Sequence, residues 1–259
     1  AVVLGALFQL GVFSSSSFAP RASPGSCQVY RPNGPYSTSL INLEGVCNGE
    51  LPQFVASFSG TADVVTTTLN IPNTGTITAW VYDTSTNAPN NPGVVGYNNV
   101  YPEVIICSNN PQNIGYVLDL AGTRTFGCTS TLMQFNKWLF ITLNYSSAGA
   151  SETLNGAQIW YTSTSATSGI TAPLTFGLIG SGYWFGYLAN VQLYNTSLSA
   201  NEVEYLYTEG IGGAPLNLQS LVGWWPLNGN ANDYSGNNNN GVPSGVSYTS
   251  QWTSGYTPQ

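Results

Sequence analysis

Histidine does not occur anywhere in this chain of 259 residues, and charge of either sign is scarce: four Lys and Arg against eleven Asp and Glu, 6% in all. An ordinary soluble domain carries about 25% charged residues. Without histidine the chain lacks the usual general base, the usual proton shuttle and the commonest transition-metal ligand. The four cations, Arg21, Arg31, Arg124 and Lys137, are scattered along the sequence. Nucleic-acid binding draws on clustered Lys and Arg to neutralise phosphates, and anionic lipid headgroups draw on a polybasic run. Neither is present, so nucleic acid and lipid headgroups are set aside as partners.

Cysteine is scarce as well. The four fall as two similarly spaced pairs, Cys27 with Cys47 and Cys107 with Cys128. With no C-x-x-C and no His a zinc site is not expected. Sequential pairing gives two disulfides in an oxidising compartment, each closing a loop of about twenty residues worth ~3 kcal/mol in the chain-entropy model. The alternative is two pairs of buried free thiols.

Long apolar runs are lacking too, with one exception. Residues 1–13 (AVVLGALFQLGVF) carry no charge and a single polar side chain, Gln9. A helix apolar on every side is stable only in a membrane or packed against copies of itself. At 1.5 Å per residue this one spans about 20 Å, short of a ~30 Å hydrocarbon core, so no stable membrane span is expected. Val2, Val3, Leu4, Leu7, Phe8, Leu10, Val12 and Phe13 supply the surface of an assembly helix, and Gly5 and Gly11 permit close approach between copies. A signal-peptide core is the alternative, but no basic stretch precedes it. Ser14–Ser17, Pro20 and Pro24 then end the helix in a neck, residues 14–26.

What remains, residues 27–259, reads as one β domain. Segments 53–60, 76–83, 137–145, 157–164 and 187–195 are rich in aromatic and β-branched residues and are bounded by Asn, Gly, Pro and Ser. Strands at this spacing without intervening helices predict a sandwich or jelly roll. One short helix is expected where Ser199-Ala200-Asn201-Glu202 forms a capping box, Val203, Leu206 and Tyr207 share a face, and Gly210 supplies the stop. Two sequons, at Asn144 (NYS) and Asn195 (NTS), are candidate glycosylation sites in a secreted chain.

Three stretches, FVASFSGTADVV…TITAWVY (54–82), NKWLFITLNY…AQIWYTST (136–164) and IGSGYWFGYLANVQLYNTSLSANEVEYLYTEG (179–210), together resemble the laminin-G-like branch of the concanavalin A-like lectin/glucanase superfamily. The resemblance implies a mainly β jelly-roll sandwich with one short surface helix. A fourth stretch, LVGWWPLNGNANDYSGNNNNGV (221–242), resembles the segment that opens such domains, yet here it lies near the chain end. Circular permutation explains this, with residues 221–259 completing the sandwich and the tail after Val242 adding a strand beside Phe54–Phe58. The rival is an incomplete second copy, which would leave an exposed Trp224-Trp225 pair.

The front end, GALFQLGVFSSSSFAPRASPGSCQVYRPNGP…INLEGVCNGELPQ, is similar to archaeal type IV pilin-like surface proteins. That resemblance implies a homopolymer, with N-terminal helices bundled in a filament core and β domains outside the cell. The apolar stretch is about half the usual length of such a helix, and the processing site and Glu of the upstream half are not in this sequence.

Glucanases of the superfamily use paired carboxylates on one strand. No such run occurs; Glu202 and Glu204 come nearest and fall in the expected helix, so no catalytic residue is assigned. Calcium is the one cofactor the resemblance raises: Asp63 matches the family's Asp, and Asn228, Asn230, Asn232 and Asp233 form an oxygen-rich cluster. The bland reading is a set of Asx turns. For glycan ligands, Tyr183, Trp184 and Tyr187 beside Gly182 and Gly186 are candidates, as are Tyr97 and Tyr101 in a long 83–103 loop. Trp80, Trp138 and Trp160 are expected in the core. The expected function is that of a structural subunit of an adhesive extracellular pilus-like filament, and the alternative a cell-surface carbohydrate-binding lectin that does not polymerise.

Overall fold

The computed structural model describes residues 27–29, 41–43, 51–85, 91–97, 100–108, 112–167, 173–179 and 182–257. Residues 1–13, with the expected assembly helix, the 14–26 neck and Cys47 lie outside them. Two three-residue strands, β1 (Cys27–Val29) and β2 (Ile41–Leu43), pair with each other.

The remaining strands form two antiparallel sheets packed face to face, the jelly-roll sandwich expected. They run β3 (Val55–Ser59), β4 (Val64–Asn70), β5 (Gly75–Asp83), β6 (Gly93–Tyr97), β7 (Val100–Cys107), β8 (Asn113–Leu120), β9 (Thr123–Leu132), β10 (Trp138–Ser146), β11 (Gly149–Leu154) and β12 (Ala157–Thr162). There follow β13 (Pro173–Phe176), the short pair β14 (Leu178–Ile179) and β15 (Gly182–Tyr183), β16 (Phe185–Tyr194), helix α1 (Ala200–Thr208), β17 (Leu221–Trp225), β18 (Val242–Ser244) and β19 (Ser247–Thr249). One sheet has the order β12-β11-β10-β5-β16-β3-β19, with β17 also on β16; the other has the order β18-β4-β13-β6-β7-β8-β9.

β5 and β10 form the centre of the first sheet and read as near-continuous apolar runs because both their faces are covered. Ile77, Ala79 and Val81 of β5 and Leu139, Ile141 and Leu143 of β10 point into the core between the sheets. Trp80 and Tyr82, with Trp138 and Phe140, point the other way, beneath α1, Trp252 and Tyr256. Trp80 and Trp138 are buried as expected, but under the helix and tail rather than between the sheets. Trp160, on edge strand β12, is only half-buried.

Helix α1 begins at the capping box: the Glu202 N–H donates to Ser199 Oγ (3.3 Å) and the Ser199 N–H donates back to Glu202 Oε2 (2.8 Å). Val203 and Leu206 are its buried residues, and Gly210 leaves the helix at φ +80°.

β16 changes partner halfway. Phe185–Leu188 pair with β3, and Val191–Tyr194 pair with β17 on the same side. The change falls at Asn190, a left-handed residue (φ 49°). Its N–H donates to the Pro226 carbonyl, its Nδ2 donates to the Gly213 carbonyl, and its Oδ1 accepts from Trp224 Nε1. The segment after Val242 lies in both sheets: β18 pairs with β4, and β19 pairs with β3 in the register Ser247↔Ser57, Thr249↔Val55. Trp224 and Trp225 are both buried. The stretch expected as a long 83–103 loop holds β6 and the start of β7 instead; the side chains of Tyr97 and Tyr101 lie outside the described residues.

Candidate functional site

Strand parity divides the predicted aromatic trio. Trp184 is 0% exposed and belongs to the core between the sheets, so it cannot meet a ligand, which corrects its assignment as a platform residue. Tyr183 is half-buried on β15, opposite Leu178. Tyr187 is half-buried on the outer face of the first sheet, its ring centroid 5.2 Å from that of Tyr82 and 6.3 Å from that of Trp138.

The residue that reading missed is Phe185. It shares the outward parity of Tyr187 and is 44% exposed. Its ring lies over Gly60, where a Cβ would stand 3.0 Å from the Phe185 Cβ. Between the two rings, Gly186 has φ +154° and runs so close to β5 that a Cβ would meet the Tyr82 carbonyl oxygen at 2.0 Å. Period-2 alternation from Tyr187 was the signal that could have found Phe185.

Serines line the neighbouring strands. Ser59 pairs with Phe185 and Ser57 with Tyr187, and Ser247 of β19 pairs with Ser57. Ser59 and Ser247 are exposed and Ser57 is half-buried. The Ser59 and Thr61 hydroxyls are 2.9 Å apart. Asp83 closes the same end of the sheet, in register with Gly186. Its Oδ1 accepts the N–H and hydroxyl of Ser85, both at 2.7 Å, while Oδ2 is buried without a hydrogen-bond partner. Burial pushes this carboxyl up to about 6. The result is a shelf of two aromatic rings beside a row of hydroxyls.

The calcium candidates are engaged in hydrogen bonds within the chain. Asp233 already accepts four hydrogen bonds, from the N–H groups of Trp224 (2.9 Å), Ser235 (2.8 Å) and Asn239 (2.8 Å) and from the Ser235 hydroxyl (2.9 Å). Asn228 Oδ1 accepts the Phe54 N–H, and the Asn232 N–H donates to Asn230 Oδ1. Asp63 accepts the Ser59 N–H across the β3–β4 turn. The hydrogen bonds that Asp233 and Asn230 accept from the N–H groups two residues on serve turns, the Asx reading of this cluster. Among the described residues no group of three or more His, Cys, Asp or Glu is placed to hold a metal.

The remaining candidates separate as clearly. Asn144 is 7% exposed; its Oδ1 accepts from Thr76 Oγ1 (2.5 Å) and its Nδ2 donates to the Leu198 carbonyl (3.1 Å). A glycan has no access to it in the folded chain, which corrects that assignment. Asn195 is exposed at the end of β16. Glu202 serves as the helix cap, and hydrogen bonds from Ser199 lower its pKa; Glu204 is exposed on α1. Cys107 and Cys128 form a disulfide that links β7 to β9 across Gly115 of β8. Cys47, the expected partner of Cys27, lies outside the described residues. Among the described residues no helix is long and apolar enough to cross a membrane.

No family model matches the chain, and no curated protein sequence matches it. Solved structures do. A Bacteroides ovatus protein provisionally described as carbohydrate-binding superposes with a TM-score of 0.58 at 13% identity, over 76% of this chain and 60% of that one. The chain thus spans three fifths of that protein's length. A heptameric SAP-like pentraxin from Limulus polyphemus superposes with a TM-score of 0.52, also at 13% identity, over 77% of this chain and 95% of that one. At these identities the likeness is one of fold alone, a jelly-roll sandwich.

Proposed function

We propose that this chain is an extracellular, non-catalytic surface domain that binds glycans on the Phe185–Tyr187 shelf. The observation that carries the reading is the shelf itself, two partly free rings beside Ser57, Ser59 and Ser247. A sugar offers an apolar C–H face that stacks on an aromatic ring and a rim of hydroxyls that seek hydrogen-bond partners. The description of the Bacteroides ovatus neighbour supports the same reading, and the Cys107–Cys128 disulfide supports an oxidising, extracellular setting.

A glycan array, followed by calorimetry on each hit, tests it. Phe185→Ala and Tyr187→Ala are expected to weaken binding at least tenfold each, the scale of a lost aromatic anchor, about 1–3 kcal/mol. Chelating calcium is expected to change nothing. Wild-type affinity in both variants moves the site elsewhere, and an array without hits counts against glycan binding altogether.

Attachment to an extracellular fibre through residues 1–13 is the second part of the proposal. Its support is the uncharged, apolar composition of that stretch. A chain lacking residues 1–13 is expected to be a folded monomer that forms no filaments by electron microscopy. Filaments from that truncated chain refute the assembly role and leave the glycan site untouched.

A further inference from the structure

Glu152 sits in the middle of β11 with 0% exposure, and neither of its carboxyl oxygens has a hydrogen-bond partner. Its same-face neighbours on the strand, Ala150 and Leu154, belong to the core between the sheets. Beside it in register are Leu143 of β10 and Trp160 of β12. From the other sheet comes Tyr116 of β8, whose ring centroid lies 3.9 Å from that of Trp160.

The titratable groups around Glu152 are phenols: Tyr116 opposite, and Tyr145 on the inward row of β10, whose hydroxyl donates to the Pro72 carbonyl. β12 contributes Trp160, which does not titrate. The two cations among the described residues are both exposed at the surface, Lys137 bonded to Gln134 and Arg124 opposite Asp119 on the outer strand β9. Among the described residues no positive charge meets this carboxyl. An unpaired carboxylate in such a place is far more costly than a neutral carboxyl. The folded state therefore holds the proton, and burial keeps the group well above the ordinary carboxylate range.

The edge of the sheet beside Glu152 is β12. That strand has six residues, one sheet neighbour and a side-chain row that is exposed or half-buried throughout. Its register against β11 slips at Glu152/Thr153, beside the carboxyl itself. Lifting β12 hydrates Glu152 and leaves the rest of both sheets paired, which is the smallest opening that relieves the charge.

We propose that Glu152 is a proton-operated latch for the β12 edge: neutral, it lets the strand dock; ionised, it releases the strand and bares Trp160, Tyr116 and the free edge of β11. The sign follows from the raised native pKa. Docking is complete below the ordinary carboxylate range and is lost as pH rises through the native value.

Hydrogen exchange on the full chain from about pH 4 to about pH 9, corrected for the intrinsic rate, tests the latch. In the wild type the opening constant of the residue 157–162 amides is expected to rise about tenfold per pH unit between the ordinary carboxylate range and the native pKa, and to level off above it. In Glu152→Gln it should stay flat, and the β5 and β16 amides should stay protected in both proteins. Glu152→Met, also neutral and of similar length, replaces the Gln variant if that one fails to fold. A flat wild-type profile overturns the proposal, as does an unchanged pH slope in the neutral variants. Simultaneous loss of protection in β5 and β16 overturns it as well, since that is global unfolding.

Discussion

Single side chains here change meaning with their cover. Asn144 and Asn195 are both sequon asparagines, yet one has its amide bonded beneath α1 and the other faces solvent. Glycopeptide mass spectrometry of native material should find any glycan on Asn195 and an unmodified Asn144. Asn144→Ala should cost about 1–3 kcal/mol, because it removes the amide that donates to the Leu198 carbonyl and accepts from Thr76. Asp83 makes a second residue-scale case. Burial raises its pKa to about 6 in the fold. A raised native value means that the proton stabilises the folded state. That stability is present below the ordinary value near 3.8 and is lost as pH rises through about 6. Asp83→Asn, which keeps the acceptor for Ser85, should abolish up to about 3 kcal/mol of pH dependence in that window, read by urea titrations at several pH values. An unchanged slope would show that Oδ2 is hydrated.

Among the elements, α1 and β16 carry most of the positioning. The capping box satisfies two N–H groups at the start of a nine-residue helix whose buried side chains cover Trp80 and Phe140. Ser199→Ala should lower stability by about 1 kcal/mol in chemical denaturation, with Ser199→Asp restoring most of it. The box, the buried Val203 and Leu206 and the glycine stop were all legible in the sequence, since each rests on contacts within a few residues. β16 was legible as a strand but not in its parity. Its outward row, Phe185 and Tyr187, depends on pairing with β3 and β5, and a one-residue shift would exchange it for Trp184 and Leu188.

For the molecule as a whole, the last part of the chain closes both sheets. β18 covers β4, β19 covers β3, and Trp252 packs edge-on against Trp138 while its carbonyl accepts the Trp138 indole N–H. A chain ending at Gly241 should therefore lose cooperative thermal unfolding and near-ultraviolet circular dichroism. A truncated chain that still melts sharply would make the tail an accessory. The low charge has its own consequence at this scale. With two exposed cations among the described residues, a buried carboxylate finds no countercharge there, and burial holds the pKa of both Asp83 and Glu152 above the ordinary carboxylate value.

Composition and local pattern alone determined the β class, the strand-rich segments, the capped helix and the absence of histidine chemistry. These depend on periodicities of two and 3.6 and on turn residues, which are local properties. Only the tertiary structure decided which ring faces solvent, which sequon is buried, that the Asn-rich cluster is engaged in hydrogen bonds within the chain, and that Glu152 lies inside the sandwich. Each of those outcomes depends on strand register and on what covers a strand's second face. Residues distant in sequence set both: Ser57 opposite Tyr187, α1 over Trp80, and β12 over the flank of β11.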